Sequence, residues 1–345
     1  VPSKNNLVKP IKFSGPCKSV LTLLIYGTVE ASSDVADYNE DARHWLLFDS
    51  VQSLMVEGGG TLDGNGMIWW LNPCKINKAL PCKIAPTALT FCNCKDITVQ
   101  NLNIQNGQQI HISFEKCVNV LTSNLVIPAP GYCPHTNGIH IANTQNIQIF
   151  SNFIRTGDDC VSVASGFQQV HARGIICGPG HGISTGSLGH GNTEAHVPGV
   201  PVDGAKLSGT ASGIRIKTWQ GGFGSASDIT FQNVEMHNVT NPIIIDQYYC
   251  DQNTPCPEEI SAVQVVDVVY RSIKRTSGNN IAIRFDCSKT FPCQGIVLED
   301  VDIEKEGGGA AIALCNNAQF SEMGVVSPFC PFKDEMNTKY PEVYM

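Results

Sequence analysis

Five side chains near the middle of the chain have the types and spacing needed for acid–base chemistry. Asp158 and Asp159 are adjacent carboxylates in Thr156-Gly157-Asp158-Asp159-Cys160, and His181 follows in Cys177-Gly178-Pro179-Gly180-His181-Gly182. Arg215 and Lys217 flank Ile216. Paired carboxyl groups suit glycoside hydrolysis, in which one acid protonates the leaving oxygen and another carboxylate activates water. Crowding of like charge is expected to raise one carboxyl's pKa and so supply the acid. Positions two apart on a strand share a side, so Arg215 and Lys217 should face outward together while Ile214 and Ile216 face in. Such a basic clamp would suit a uronate carboxylate. Taken singly, each motif has a plainer reading: solvated turn aspartates, a structural histidine, an exposed strand face. What favours chemistry is that all of them fall at one register of a repeat.

That repeat runs the length of the chain. Its template, apolar-x-apolar-x-x-apolar-x-apolar, reads Ile97, Val99, Leu102, Ile104 and then Val120, Thr122, Leu125, Ile127. It returns as Ile147, Ile149, Asn152, Ile154 and continues to Ile296, Leu298, Val301, Ile303, often with Asn or Asp nearby. Between copies lies a second short strand, as in Gly138-Ile139-His140-Ile141, Cys160-Val161-Ser162-Val163 and Gly213-Ile214-Arg215-Ile216. Short, β-branched, glycine-bounded segments are strands. Most repeats are too short for the roughly 40 to 45 residues of a four-stranded propeller blade, which leaves a solenoid. The expected fold is all-β: a single-stranded, right-handed parallel β-helix of roughly nine to ten coils, one domain over residues 1–345. Equivalent positions in adjacent coils should then stand about 4.8 Å apart. Asn137, the Asp158/Asp159 pair, His181 and the Arg215/Lys217 pair would meet on one face.

Composition agrees. Hydrophobic residues make up 42% and charged residues 16% of the 345 positions, and there are 32 glycines, which suits a folded, turn-rich chain. The net charge of −8 argues against a nucleic-acid partner, so an acidic polymer must meet a local basic site. No stretch approaches the roughly 20 apolar residues of a membrane helix, and no membrane partner is expected. Fifteen cysteines suit an oxidising compartment, with close pairs Cys74/Cys82, Cys250/Cys256, Cys287/Cys293 and Cys315/Cys330 read as disulfides. The odd count leaves one over. The sequon Asn238-Val239-Thr240 fits secretion. With no initiator methionine and no signal peptide, the chain reads as a mature or trimmed product.

Thr156–Cys160, Cys177–Gly182 and Arg215-Ile216-Lys217 closely resemble three of the four signature motifs of the family 28 glycoside hydrolases, the polygalacturonases, in the style of the plant enzymes. Val56-Glu57-Gly58-Gly59-Gly60-Thr61 and Asn241-Pro242-Ile243-Ile244-Ile245-Asp246-Gln247 match as well, and the resemblance covers essentially the whole chain. It implies hydrolysis of α-1,4-galacturonosyl linkages in pectin with inversion, without metal or cofactor, by a secreted, extracellular, cell-wall monomer. Asp158 would be the general acid, and Asp159 would position and help deprotonate the water. His181 would tune protonation, and Arg215 and Lys217 would hold the galacturonate carboxylate. Tyr249 matches the substrate-contacting tyrosine, with Tyr248 the alternative, and Cys160 and Cys177 match a bridge bracing the catalytic coil.

Two departures stand out. The first signature, ordinarily Asn-Thr-Asp-Gly, reads His135-Thr136-Asn137-Gly138. An amide at Asn137 can hydrogen-bond water but cannot take its proton, which implies weakened catalysis; His135 joins the candidate substrate contacts. Val1-Pro2 also corresponds to a point inside the usual catalytic domain. The N-terminal capping helix and the partner of Cys17 are therefore expected to be missing, leaving an apolar end uncovered. The competing readings are a catalytically inactive pectin-binding protein and a hydrolase of decorated backbones, rhamnogalacturonan or xylogalacturonan. A calcium-dependent lyase is disfavoured by the lack of a dense acidic cluster.

Overall fold

The computed structural model describes residues 1–71, 84–166, 168–251 and 256–331. Within them the chain winds into a right-handed parallel β-helix, with one sheet of 19 strands and a second of 11. Every strand-to-strand pairing in the two sheets is parallel; a lone Gln220–Ala262 bridge is antiparallel. The eleven rungs of the second sheet exceed the expected nine to ten, because Ile11–Ser14, His44–Asp49 and Thr87–Cys92 form rungs without the clear glycine-bounded pattern.

Most early coils hold three strands where two were expected. The repeat template bends at its central x-x, as between Lys95–Gln100 and Asn103–Gln105. Asn101, Asn124 and Ser151 occupy that bend with φ of 52°, 53° and 52°. A short polar side chain tolerates this left-handed conformation better than a branched apolar one, which accounts for the asparagines beside the repeat. Farther along, the same template runs through the bend as one strand, Phe223–Val239.

Inward residues stack in rows along the axis. Leu89, Ile112, Ile139, Val161, Ile183, Ile214, Ile243 and Ile283 follow one another in register, each at most 1% exposed. The rings of Phe48, Phe91 and Phe114 stack at 5.2 Å centroid spacing. No coil buries its apolar side alone; stacking closes one continuous core. In the first strands Leu7, Ile11 and Phe13 are exposed.

Cystines join Cys160–Cys177, Cys250–Cys256, Cys287–Cys293 and Cys315–Cys330. Cys74 and Cys82 lie outside the described residues. Five thiols remain among the described residues, Cys17, Cys92, Cys94, Cys117 and Cys133, where the odd count pointed to a single leftover. Cys94 and Cys117 are buried in successive coils, where they act as small core side chains.

Candidate active site

The residues singled out by type converge on the wall formed by the eleven-stranded sheet. Asn137, Asp159 and His181 each precede a rung by two residues, before Ile139, Val161 and Ile183, which pair in register. Backbone bonds fix the order: Gly138 N–H donates to the Asp159 carbonyl at 2.9 Å, and Cys160 N–H to the Gly182 carbonyl at 2.8 Å. Arg215 and Lys217 follow on Ser212–Thr218, one coil beyond His181.

The turns carrying the carboxylates are held by a threonine pair that motif reading did not single out. Thr136 Oγ1 donates to the Cys133 carbonyl and accepts from Gly157 N–H at 3.1 Å, and it lies 2.9 Å from Thr156 Oγ1. Position 157 must be glycine because a Cβ there would stand 1.8 Å from the Cys133 carbonyl oxygen. The buried Cys160–Cys177 bridge, 6.0 Å between Cα atoms, ties the aspartate strand to the turn before His181.

Asp158 sits between two imidazoles. His181 Nδ1 lies 3.1 Å from Oδ1, and His135 Nδ1 lies 3.6 Å from Oδ2. Burial works to raise the carboxyl's pKa. The interactions with His135 and His181 and the Asp159 N–H outweigh it and hold Asp158 well below the usual carboxylate range. The like-charge crowding expected to lift it is overridden by its imidazole and backbone N–H neighbours.

Asp159, 2% exposed, is the hub of the site. Its Oδ1 accepts from Ser184 Oγ at 2.8 Å and Arg215 Nη2 at 2.9 Å, and Oδ2 accepts from Lys217 Nζ at 3.0 Å. The clamp therefore faces outward as expected but closes on Asp159. A carboxylate this deep persists because it is fully paired. Ser184 occupies the row Ser113, His140, Ser162, Ser184, Arg215, so coil register applied to hydroxyls would have located it.

Asn137 occupies the end of the same wall. Its Oδ1 accepts the Asp159 N–H at 3.2 Å and its Nδ2 donates to Ser162 Oγ at 3.4 Å. Ser162 Oγ in turn lies 2.6 Å from His140 Nδ1. Burial holds His140 below its ordinary pKa, so neutral Nδ1 can accept the Ser162 proton and the relay is consistent in one direction. Behind it, the Asn137 carbonyl accepts from the buried His111 ring at 3.0 Å.

The two tyrosines separate. Tyr249 lies beneath Lys217, whose Nζ is 5.3 Å from the ring centroid, and packs edge-on to Trp219. Burial pushes its hydroxyl up to about 12. Tyr248 instead turns its hydroxyl toward the Lys289 N–H, farther along the solenoid. Asp158, Asp159 and His181 bring one ligand atom each within 4.8 Å of one another, a set with the donors for a cation. Both Asp159 oxygens are already held by Ser184, Arg215 and Lys217, and the positive charges of Arg215 and Lys217 oppose a metal there.

The chain belongs to the glycosyl hydrolases family 28, whose family model matches residues 1–327. It is 58% identical over 332 residues to a polygalacturonase of Malus domestica, covering 96% of this chain and 71% of that one. It is 56% identical over 328 residues to polygalacturonase-2 of Solanum lycopersicum, covering 95% and 72%. A hyperthermoactive exopolygalacturonase from Thermotoga maritima shares the fold at a TM-score of 0.77 and 21% identity, over 94% of this chain and 83% of that one.

Proposed function

We propose that this chain hydrolyses α-1,4-galacturonosyl linkages of pectin with inversion, at a rate limited by the amide at Asn137. The observation that carries the reading is Asp159 held by Arg215 and Lys217 beside the Asp158–His181 pair. In this reading Arg215 and Lys217 direct their remaining donors at the uronate carboxylate, with Tyr249 and His135 lining the sugar. The proton for the leaving oxygen comes from the Asp158–His181 pair and passes through Asp158. Water approaches between Asn137 and Asp159 from the opposite side. Asp159 orients it and accepts its proton as the C–O bond breaks. The relatives named polygalacturonases support the substrate class. The cystines support an oxidising, extracellular setting, and we place the protein in the cell wall as a monomer of one β-helical domain.

One observation favours a second reading. Asn137 is hydrogen-bonded through both ends of its amide, a finished arrangement that a pectin-binding protein without turnover could keep. Reducing-end release from polygalacturonate decides between them. Hydrolysis requires release above that of Asp158→Asn; equal release from the two proteins leaves binding alone.

A further inference from the structure

Asn238-Val239-Thr240 is the one Asn-x-Ser/Thr triplet in the sequence, and the hydrolytic site makes no use of it. It lies where the strand Phe223–Val239 turns toward the rung Asn241–Asp246. Val239 is buried in the core, which leaves Asn238 and Thr240 exposed on either side of it. Backbone groups fix the turn. The Asn238 N–H donates to Thr276 Oγ1 at 2.9 Å and the Thr240 N–H to the Thr210 carbonyl at 2.9 Å, while the Val239 carbonyl accepts from the Gly278 N–H at 2.7 Å. Asn238 has the left-handed backbone of asparagines in other turns, φ 52°, but not their side-chain bonds. Asn119 Nδ2 donates to Asp96 at 2.7 Å, Asn146 Nδ2 to Asn119 at 2.9 Å and Asn233 Nδ2 to Asp203 at 2.7 Å, each reaching the preceding coil. Among the described residues the Asn238 amide makes no hydrogen bond.

The neighbouring coils supply the reason. Gly209, which follows the register partner of His237, has no side chain to receive the amide, and a Cβ there would meet open space. In the coil after, a Cβ on Gly278 would come 2.7 Å from Asn238 Oδ1. A glycine on each side leaves the amide room and no partner. We propose that Asn238 carries an N-linked oligosaccharide. The acceptor is Nδ2, and the donor is a lipid-diphosphate-linked oligosaccharide of the secretory pathway. The C1–O bond of its first N-acetylglucosamine breaks, an Nδ2–C1 bond forms, and the lipid diphosphate leaves with the amide proton. Transfer precedes folding, so the folded turn has to accept a bulky polar group, which belongs at the surface. At Asn238 the sugar displaces no hydrogen bond, and the turn that holds it is fixed by backbone groups alone on the coil side.

The test is mass spectrometry of the chain secreted from plant cells, intact and as peptides, before and after peptide:N-glycosidase A in heavy-oxygen water. The peptide holding Asn238 should appear as a glycopeptide, and the enzyme should convert Asn238 to an oxygen-labelled aspartate. Thr240→Ala keeps Asn238 and its backbone while removing the acceptor triplet, so the intact mass should fall by one oligosaccharide. Thr240→Ser restores the hydroxyl and should retain the sugar. A bare Asn238 in the secreted protein, or an oligosaccharide that persists in Thr240→Ala, overturns the proposal. The unaltered protein carries the direct readout, so a variant that fails to fold does not shield the proposal. None of these measurements involves pectin, and their outcome is independent of the hydrolytic reading.

Discussion

Replacing Asn137 by Asp should raise hydrolysis sharply, and the structure shows why the substitution is local. The amide oxygen already accepts the Asp159 N–H at 3.2 Å, a role a carboxylate oxygen keeps. The amide nitrogen donates to Ser162 Oγ, and a carboxylate cannot. Ser162 must therefore turn its proton toward residue 137, and His140 must move its own proton to Nδ1, 2.6 Å from Ser162 Oγ, to complete the reversed relay. Both changes are proton moves that leave heavy atoms in place. The new carboxylate stands one coil from Asp159, about 4.8 Å, where at an effective permittivity of about 20 two charges interact by about 3 kcal/mol. That repulsion makes residue 137 a stronger base and works against the low pKa of Asp158, favouring the protonated acid. A positioned general base contributes about 10²–10⁴ in rate, or roughly 3–5 kcal/mol of barrier. Initial rates of reducing-end release from polygalacturonate, for the unaltered chain, Asn137→Asp and the double change with His135→Asn, measure the effect. Unchanged turnover in both variants, with each still folded, would refute the placement of Asn137 beside the attacking water.

Further outcomes follow from the same geometry. His111 is fully buried, its ring donates to the Asn137 carbonyl and among the described residues its Nε2 has no partner, so burial drives its pKa from 6.5 down to about 4. The unfolded chain takes up the proton first, so stability is full above pH 6.5 and declines as pH falls toward about 4. The loss is roughly 3 kcal/mol over that window. Urea unfolding at several pH values should show this slope flattened in His111→Asn, and an unchanged slope would place the acid sensitivity elsewhere. Lys217→Met removes one partner of the buried Asp159 but leaves Arg215 and Ser184, which should cost about 3 kcal/mol of stability. A loss below about 1 kcal/mol in the same unfolding assay would mean that Asp159 is hydrated or already satisfied without Lys217.

The fold was legible because the repeat places apolar pairs at fixed offsets, and stacking needs no more than that. The gathering of Asn137, Asp158, Asp159, His181, Arg215 and Lys217 followed from register alone. What register does not carry is which polar partners meet across it. The closure of Arg215 and Lys217 on Asp159 depends on side-chain length and burial, and the low pKa of Asp158 on two imidazoles from separate turns. Thr136 and Thr156 were visible only as members of motifs, although their hydroxyls hold the turns together. The extra bend in most early coils was hinted at by the asparagines, whose positive φ angles no apolar pattern reports.

The stereochemistry of the first product tests the mechanism most directly. Asp158 and Asp159 bring carboxylate oxygens within 4.8 Å, closer than the roughly 6.5–9.5 Å usual between the carboxyls of inverting enzymes. Asp159, however, is ion-paired to Arg215 and Lys217, which quenches it as a nucleophile, while Oδ2, bonded to Lys217 alone, keeps a lone pair that can accept a proton from water. Proton NMR of a galacturonate oligomer during the first minutes of hydrolysis by Asn137→Asp should show the β-anomer at the new reducing end. An α-anomer appearing first would mean that a side chain, and not water, attacks the sugar.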